Sequence, residues 1–198
     1  MATNFNFVAP IYDCLVRLVF GKKLWEAQRA HLSIIKPNDH VLIIGGGTGR
    51  ILDWLHKDCH ITYVEPSSQM MKRAKKRRQA TFIQTDFASF SSKERFDVIV
   101  CPFVLDVFPS EQLGPVIKKI KDLLKPDGHL VVTDFKETDV WHHRLLLRLM
   151  FVFFSITTNL KTQKLAPIQT QVLNASFDRI KSASFKNGLI FSDLYKNK

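Results

Sequence analysis

Apolar positions recur along the chain in two rhythms, one helical and one strand-like. Ala9–Phe20 and Lys22–Ile35 carry apolar residues at helical spacing and read as two helices. Pro37-Asn-Asp39 breaks the pattern. His40-Val-Leu-Ile-Ile44 is a continuous β-branched and apolar run, as expected of a strand buried on both faces. Gly45-Gly-Gly-Thr-Gly49 follows at once, then a helical pattern with Ile51, Leu52 and Leu55 on one face. The alternation repeats: Ile61–Val64 as a strand, Ser67–Arg78 as a helix, then short strands at Thr81–Gln84 and Phe96–Val100. Ser110–Leu124 is an amphipathic helix closed by Lys125-Pro-Asp-Gly128, and Leu130–Thr133 is the fifth strand.

After Asp134 the rhythm changes. Val140–Leu160 reads as a long apolar helix or helix pair, and Leu165–Ala175 as a shorter helix. Asp178–Phe185 and Leu189–Tyr195 flank Lys186-Asn187-Gly188, where Asn-Gly between strand-like runs signals a hairpin. These elements predict a doubly wound α/β fold. Its sheet is mostly parallel with helices on both faces, and an antiparallel hairpin ends it. No repeat or long linker interrupts residues 1–198, so one domain is expected.

Composition narrows the class. With 45% hydrophobic and 24% charged residues, collagen-like, low-complexity and disulfide-scaffold chains are excluded. Phe outnumbers the other aromatics, 16 against three Trp and three Tyr, which suits an apolar core or pocket. Cys14, Cys59 and Cys101 are odd in number and far apart, so a reducing compartment is expected. His56, Cys59 and His60 are close, but no second cluster completes a metal site, and none is expected. Val8–Phe20 contains Asp13 and Arg17 and does not read as a signal peptide. Leu145–Ile156 is short of the roughly 20 residues a bilayer span needs. A soluble cytoplasmic protein is the expectation.

The net charge is +11, and Lys72-Arg-Ala-Lys-Lys-Arg-Arg78 holds six of the basic residues. Such a run could bind nucleic acid or an anionic membrane. It also fits a solvated helix face opposite Met70, Met71 and Ala74, and it lacks the interleaved aromatics of single-strand binders.

The glycine segment is the sharpest chemical signal. A strand ending in a glycine turn before a helix aims backbone N–H groups at a ligand. Its pattern is G-x-G-x-G, which fails the dinucleotide fingerprint by one residue because Arg50 stands at the sixth position. Glu65, twenty residues past Gly45, ends the second strand, where a carboxylate can accept ribose hydroxyls. Asp86 ends the third, where it could accept from an adenine amino group while Phe87 packs beside the ring. Together they outline a nucleoside-shaped crevice.

These motifs resemble those of class I S-adenosylmethionine-dependent methyltransferases. Val41–Gly49 looks like the family's first motif, and Glu65-Pro-Ser-Ser-Gln-Met-Met71 like its acidic second-strand end. Gln84-Thr-Asp86 is similar to its adenine contact, Phe96–Asp106 to its fourth-strand motif, and Leu124–Asp134 to its turn into the fifth strand. Ala9-Pro-Ile-Tyr-Asp13 is similar to the A-x-x-Y-D segment of the ubiquinone/menaquinone-biosynthesis-type branch, which covers the cofactor. The resemblance implies a Rossmann-like, seven-stranded sheet with S-adenosyl-L-methionine as cofactor. Residues 1–36 would form an N-terminal helical lid, and 138–162 a helical cap. The implied contacts are Tyr12, Gly45, Gly46, Gly47, Thr48, Gly49, Glu65, Pro66, Met70, Asp86, Phe87 and Cys101. Two positions depart from the family pattern. Ile43 replaces the acid that helps hold the cofactor's ammonium, and Asp106 stands where the branch often has His.

Methyl transfer needs a base only when the nucleophile must lose a proton. Tyr12, Asp106, His142 and His143 are the candidates. The apolar stretch Trp141–Leu160 reads as a cap over a lipophilic acceptor, as core or dimer surface, or as a peripheral membrane contact. The leading expectation is a methyltransferase for a small, lipophilic molecule. The alternatives are a non-catalytic cofactor-binding or scaffold protein, and a nucleic-acid methyltransferase using residues 72–78.

Overall fold

The computed structural model describes residues 20–158 and 165–198, with backbone alone for 151–158. Seven strands form one sheet: β1 (His40–Ile44), β2 (His60–Val64), β3 (Thr81–Ile83), β4 (Phe96–Pro102), β5 (Leu124–Phe135), β6 (Phe177–Phe185) and β7 (Ile190–Asn197). Their order is β3-β2-β1-β4-β5-β7-β6. The first five run parallel, while β7 pairs antiparallel with both β5 and β6. The doubly wound sheet with its antiparallel terminal hairpin therefore stands as expected.

Side-chain alternation in β1 explains the layering. Leu42 and Ile44 enter one core with Leu113, Ile117 and Ile120 of α3 (Ser110–Leu123) and Val172 of α5 (Ile168–Asn174). Val41 and Ile43 enter the other with Ile51, Leu52, and Met71 and Ala74 of α2 (Ser68–Ala74). Each fully buried aliphatic side chain contributes about 1.5–3 kcal/mol. A third cluster gathers Phe20, Leu24 and Ala27 with Phe135, Leu147, Leu189 and Ile190. It packs α1 (Lys23–Arg29) and α4 (Trp141–Thr158) against the hairpin end of β5 and β7.

Several elements are shorter than their periodicity predicts. The second expected helix divides into α1 and a 3-10 turn, Leu32–Ile34. After Gly49, which is left-handed at φ 78°, there is only a 3-10 turn, Arg50–Trp54, because the chain must reach β2 by His60. α2 stops at Ala74, since Arg77 and Arg78 turn back onto the chain's own carbonyls. β5 is longer than expected, running through Pro126 and Gly128 with Asp127 at φ 60°. At the hairpin, Lys186, Asn187 and Gly188 all take positive φ, as Asn-Gly anticipates. Among the described residues no helix is long and apolar enough to cross a membrane.

Asp193 on β7 joins the last elements. It is fully buried, and its carboxylate accepts from Gln169 Nε2 on α5 (2.6 Å), Ser182 Oγ on β6 (2.6 Å) and the Tyr195 hydroxyl (2.8 Å). Removing it takes the acceptor from the buried Tyr195 hydroxyl, the half-buried Gln169 amide and the exposed Ser182 hydroxyl, and a buried group left unpaired costs about 1–3 kcal/mol. Asp193→Ala should lower stability by about 2–4 kcal/mol in urea unfolding, against about 1 kcal/mol for Ser182→Ala. Equal losses would mean the network does not act as the anchor.

Candidate functional site

The glycine loop leaves β1 at its carboxyl end. Gly45 has φ 66° and donates its N–H to the Val64 carbonyl at 2.9 Å, extending the β1–β2 ladder. A Cβ on Gly46 would collide with the Tyr63 ring, so the loop passes directly over that side chain. The Tyr63 hydroxyl donates to the Gly47 carbonyl at 3.0 Å. Arg77 Nε donates to the Thr48 carbonyl at 3.0 Å, and its Nη1 pairs with Asp53 Oδ2 at 2.6 Å. The basic run is thus partly structural. Arg78 likewise donates to the carbonyls of Leu55, His56 and Lys57.

Glu65 stands at the end of β2, as expected, but not at an open edge. It is 4% exposed. Its Oε2 accepts from the Gly47 N–H and its Oε1 from the Ser67 N–H, both at 3.0 Å. Burial pushes its carboxyl above the usual range, and the two amides partly offset this. Ser67 in turn caps α2, its Oγ accepting from the Met70 N–H at 3.2 Å. Pro66 is half-buried and Met70 is buried. The chain from β2 into α2 and the glycine loop is therefore one bonded unit around a carboxylate.

Asp86 is half-buried beyond β3. It accepts from the Ser89 N–H at 2.8 Å, a bond that holds its carboxyl below the usual range. The Phe87 ring is not beside an open crevice. It is buried against Phe90 and the α3 core, because Lys119 Nζ draws the Phe87 and Ala88 carbonyls toward α3.

The ends of β4 and β5 form a second group. Cys101 is fully buried, and burial followed by the nearby Asp134 carboxyl pushes its thiol up. Phe103 takes φ 56° and donates to the Thr133 carbonyl at 2.7 Å, which turns the chain off the sheet. The next turn, Leu105–Val107, is held by Asp134. One oxygen of Asp134 accepts from the Leu105 and Asp106 N–H groups at 3.0 and 3.2 Å, the other from the Phe135 N–H at 2.9 Å. Burial lifts the Asp106 carboxyl to about 6, and burial plus Asp106 lifts that of Asp134. The buried Asp134 and the half-buried Asp106 thus form an acid pair at the carboxyl ends of β4 and β5. Phe135, next in the chain after Asp134, has the rings of Phe103 and Phe20 at 4.9 and 5.3 Å.

The two histidines of α4 part company. His142 is exposed. His143 is buried, its Nδ1 2.8 Å from Thr138 Oγ1, and burial, His142 and Lys186 hold its pKa down. Tyr12 lies outside the described residues. Among the described residues no three His, Cys, Asp or Glu side chains group as metal ligands. Tyr63 was not singled out from sequence; Arg77 was read only as part of the basic run, where a solvated face was expected, and Asp134 only as the end of the fifth-strand motif. The signal for Tyr63 was Gly46, whose missing side chain makes room for that ring.

Residues 41–128 match the family model described as a methyltransferase domain. No curated protein matches by sequence. Solved structures match in fold. The N-methyltransferase NodS from Bradyrhizobium japonicum WM9, in complex with S-adenosyl-l-homocysteine, is 19% identical over 89% of this chain and 84% of its own, with a TM-score of 0.64. The putative methyltransferase in complex with the Haloferax volcanii Trm112 methyltransferase activator is 12% identical over 100% and 99%, with a TM-score of 0.76. The Burkholderia thailandensis 1,6-didemethyltoxoflavin-N1-methyltransferase is 17% identical over 97% and 88%, at 0.61.

Two outcomes follow from this geometry. Arg77→Gln should free the Thr48 carbonyl, speeding amide exchange at Gly47 and Gly49 roughly tenfold. Lys75→Gln with Lys76→Gln should leave it unchanged; equal effects would mean Arg77 does not hold the loop. Asp106 has a folded-state pKa of about 6, above the unfolded value of about 3.9. The folded state therefore binds the extra proton, and stability falls as pH rises from about 4 to about 6. Asp106→Asn should gain melting temperature relative to the parent across that window; a relative loss would contradict the acid pair.

Proposed function

We propose that the crevice at the ends of β1, β2 and β3 binds S-adenosylmethionine, and that the chain is a methyltransferase for a small, lipophilic acceptor. The observation that carries this reading is a bare glycine backbone bonded to a buried carboxylate, within the segment that matches a methyltransferase domain. Nothing lies within 4 Å of where a Gly47 Cβ would stand, so that side of the loop is open, while the Gly47 N–H and carbonyl are held by Glu65 and Tyr63. Glu65 gives each oxygen to one amide. An ionised carboxylate has about four acceptor positions, so capacity remains for both ribose hydroxyls. Asp86 offers an acceptor for the adenine amino group. This donor set fits the nucleoside half of the cofactor.

The methionine half fits differently. Ile43 is fully buried in the β1 core, so no side-chain acid at that position meets an ammonium. Backbone carbonyls near Gly45 and Cys101 would hold it instead. When bound, the cofactor supplies an electrophilic methyl group; the protein contributes alignment and a dry site. Asp106, on the turn fixed by Asp134, accepts the proton of an O–H or N–H acceptor, and a pKa near 6 suits that task. Phe20, Phe103, Phe135 and Leu147 give the acceptor an apolar wall. Resemblance to the quinone branch supports the same acceptor class. Sparse cysteines favour the cytoplasm.

Ile43 favours one second reading, a protein that binds the cofactor without transferring its methyl group. Nucleic-acid methylation is disfavoured because Arg77 and Arg78 are committed to the chain's own carbonyls. Calorimetric titration should find S-adenosylmethionine bound roughly 10- to 150-fold more weakly by Glu65→Gln, since a charged hydrogen bond is worth about 1.5–3 kcal/mol. With methyl-labelled cofactor and a cell extract, label should enter the organic-soluble fraction. Label in RNA or protein would overturn the acceptor class. Binding without transfer would favour the second reading, and no binding by the parent would overturn both.

A further inference from the structure

We propose that the outer face of α4 docks the chain on an anionic membrane surface. Trp141, Leu145 and Leu149 recur every fourth residue, a spacing that puts them along one line of a helix. They are 72%, 49% and 59% exposed. The opposite face already has its partner: His143 and Leu147 are buried, and Leu146 and Met150 pack against the cluster of Phe20, Phe135 and Leu189. Over residues 141–150 the helix is thus apolar on two sides, and among the described residues one of them is packed.

The chemistry of the unused side points to lipid. Arg144 and Arg148 are exposed and flank the apolar row, Arg144 donating one N–H to the Asp139 carbonyl at 2.8 Å, and Trp141–Thr158 contains no acid; Glu137 and Asp139 precede it in the loop. A row of Trp and Leu with arginines beside it is the pattern of a helix lying in the bilayer plane. Its apolar side chains enter the acyl boundary while its cations meet lipid phosphates. A second copy fits less well. It would bring Arg144 and Arg148 against their own counterparts on chains that each carry +11. The inner face of α4 packs beside Phe103 and Phe135 at the ends of β4 and β5. Docking through the outer face would therefore set the apolar wall of the crevice close to the lipid. The docking does not depend on methyl transfer.

Co-sedimentation of the full chain with phosphatidylcholine vesicles, with and without phosphatidylglycerol, tests this. Binding is expected with phosphatidylglycerol present, weakening as salt rises. Leu145→Ser with Leu149→Ser should reduce partitioning at least about tenfold, and Arg144→Gln and Arg148→Gln about fivefold each. All four side chains are exposed, so melting temperatures should hold; if the serine pair fails to fold, the arginine variants and salt dependence decide. Equal partitioning on both vesicle types, or none, would overturn the proposal. So would a dimer in sedimentation velocity that the serine pair abolishes. A chain that binds vesicles but not S-adenosylmethionine would refute the proposed activity and leave the docking standing.

Discussion

A glycine loop has no side chains to anchor it, so the crevice beside β1 exists only as far as neighbours hold the loop backbone. Three of those neighbours are side chains. Glu65 takes the Gly47 N–H, Tyr63 the Gly47 carbonyl and Arg77 the Thr48 carbonyl. Each comes from a different place: the end of β2, its interior, and the turn after α2. The placement of β2 and α2 therefore fixes the loop, and the tight passage of Gly46 over Tyr63 leaves little freedom. The buried Glu65 carboxylate is the centre of this arrangement because it bonds the loop and the start of α2 at once.

Much of the sheet was legible in the chain because strands buried on both faces have a simple pattern. Val41–Ile44 could hardly be anything else once the glycine turn followed. The hairpin at Asn187-Gly188 was equally direct. Helix lengths were less legible, because periodicity does not register tertiary competition. Arg77 and Arg78 continue a helical pattern, yet their side chains satisfy carbonyls that a longer α2 would have left unpaired. The positions of Glu65 and Asp86 at strand ends could be read from spacing; the burial of Glu65 and of the Phe87 ring could not. Those depend on which helix crosses above, a matter of packing rather than of local sequence.

The acid pair and the apolar rings give the other half of the crevice its character. Asp134 is spent on backbone amides, so it shapes the turn rather than meeting solvent. Asp106 inherits that position with a carboxyl near neutrality. Phe20 and Phe103 gather around Phe135, the residue after Asp134.

The central claim is that the loop, Glu65 and the turn after β3 together form a nucleoside site. Amide NMR spectra of the chain, titrated with S-adenosylhomocysteine, test it residue by residue. The account predicts saturable shifts at Gly45 to Gly49, Glu65 to Ser67 and Asp86 to Phe87, with β6 and α5 silent. Saturable shifts elsewhere, with those three segments unmoved, would contradict it, as would a spectrum unchanged at saturating ligand.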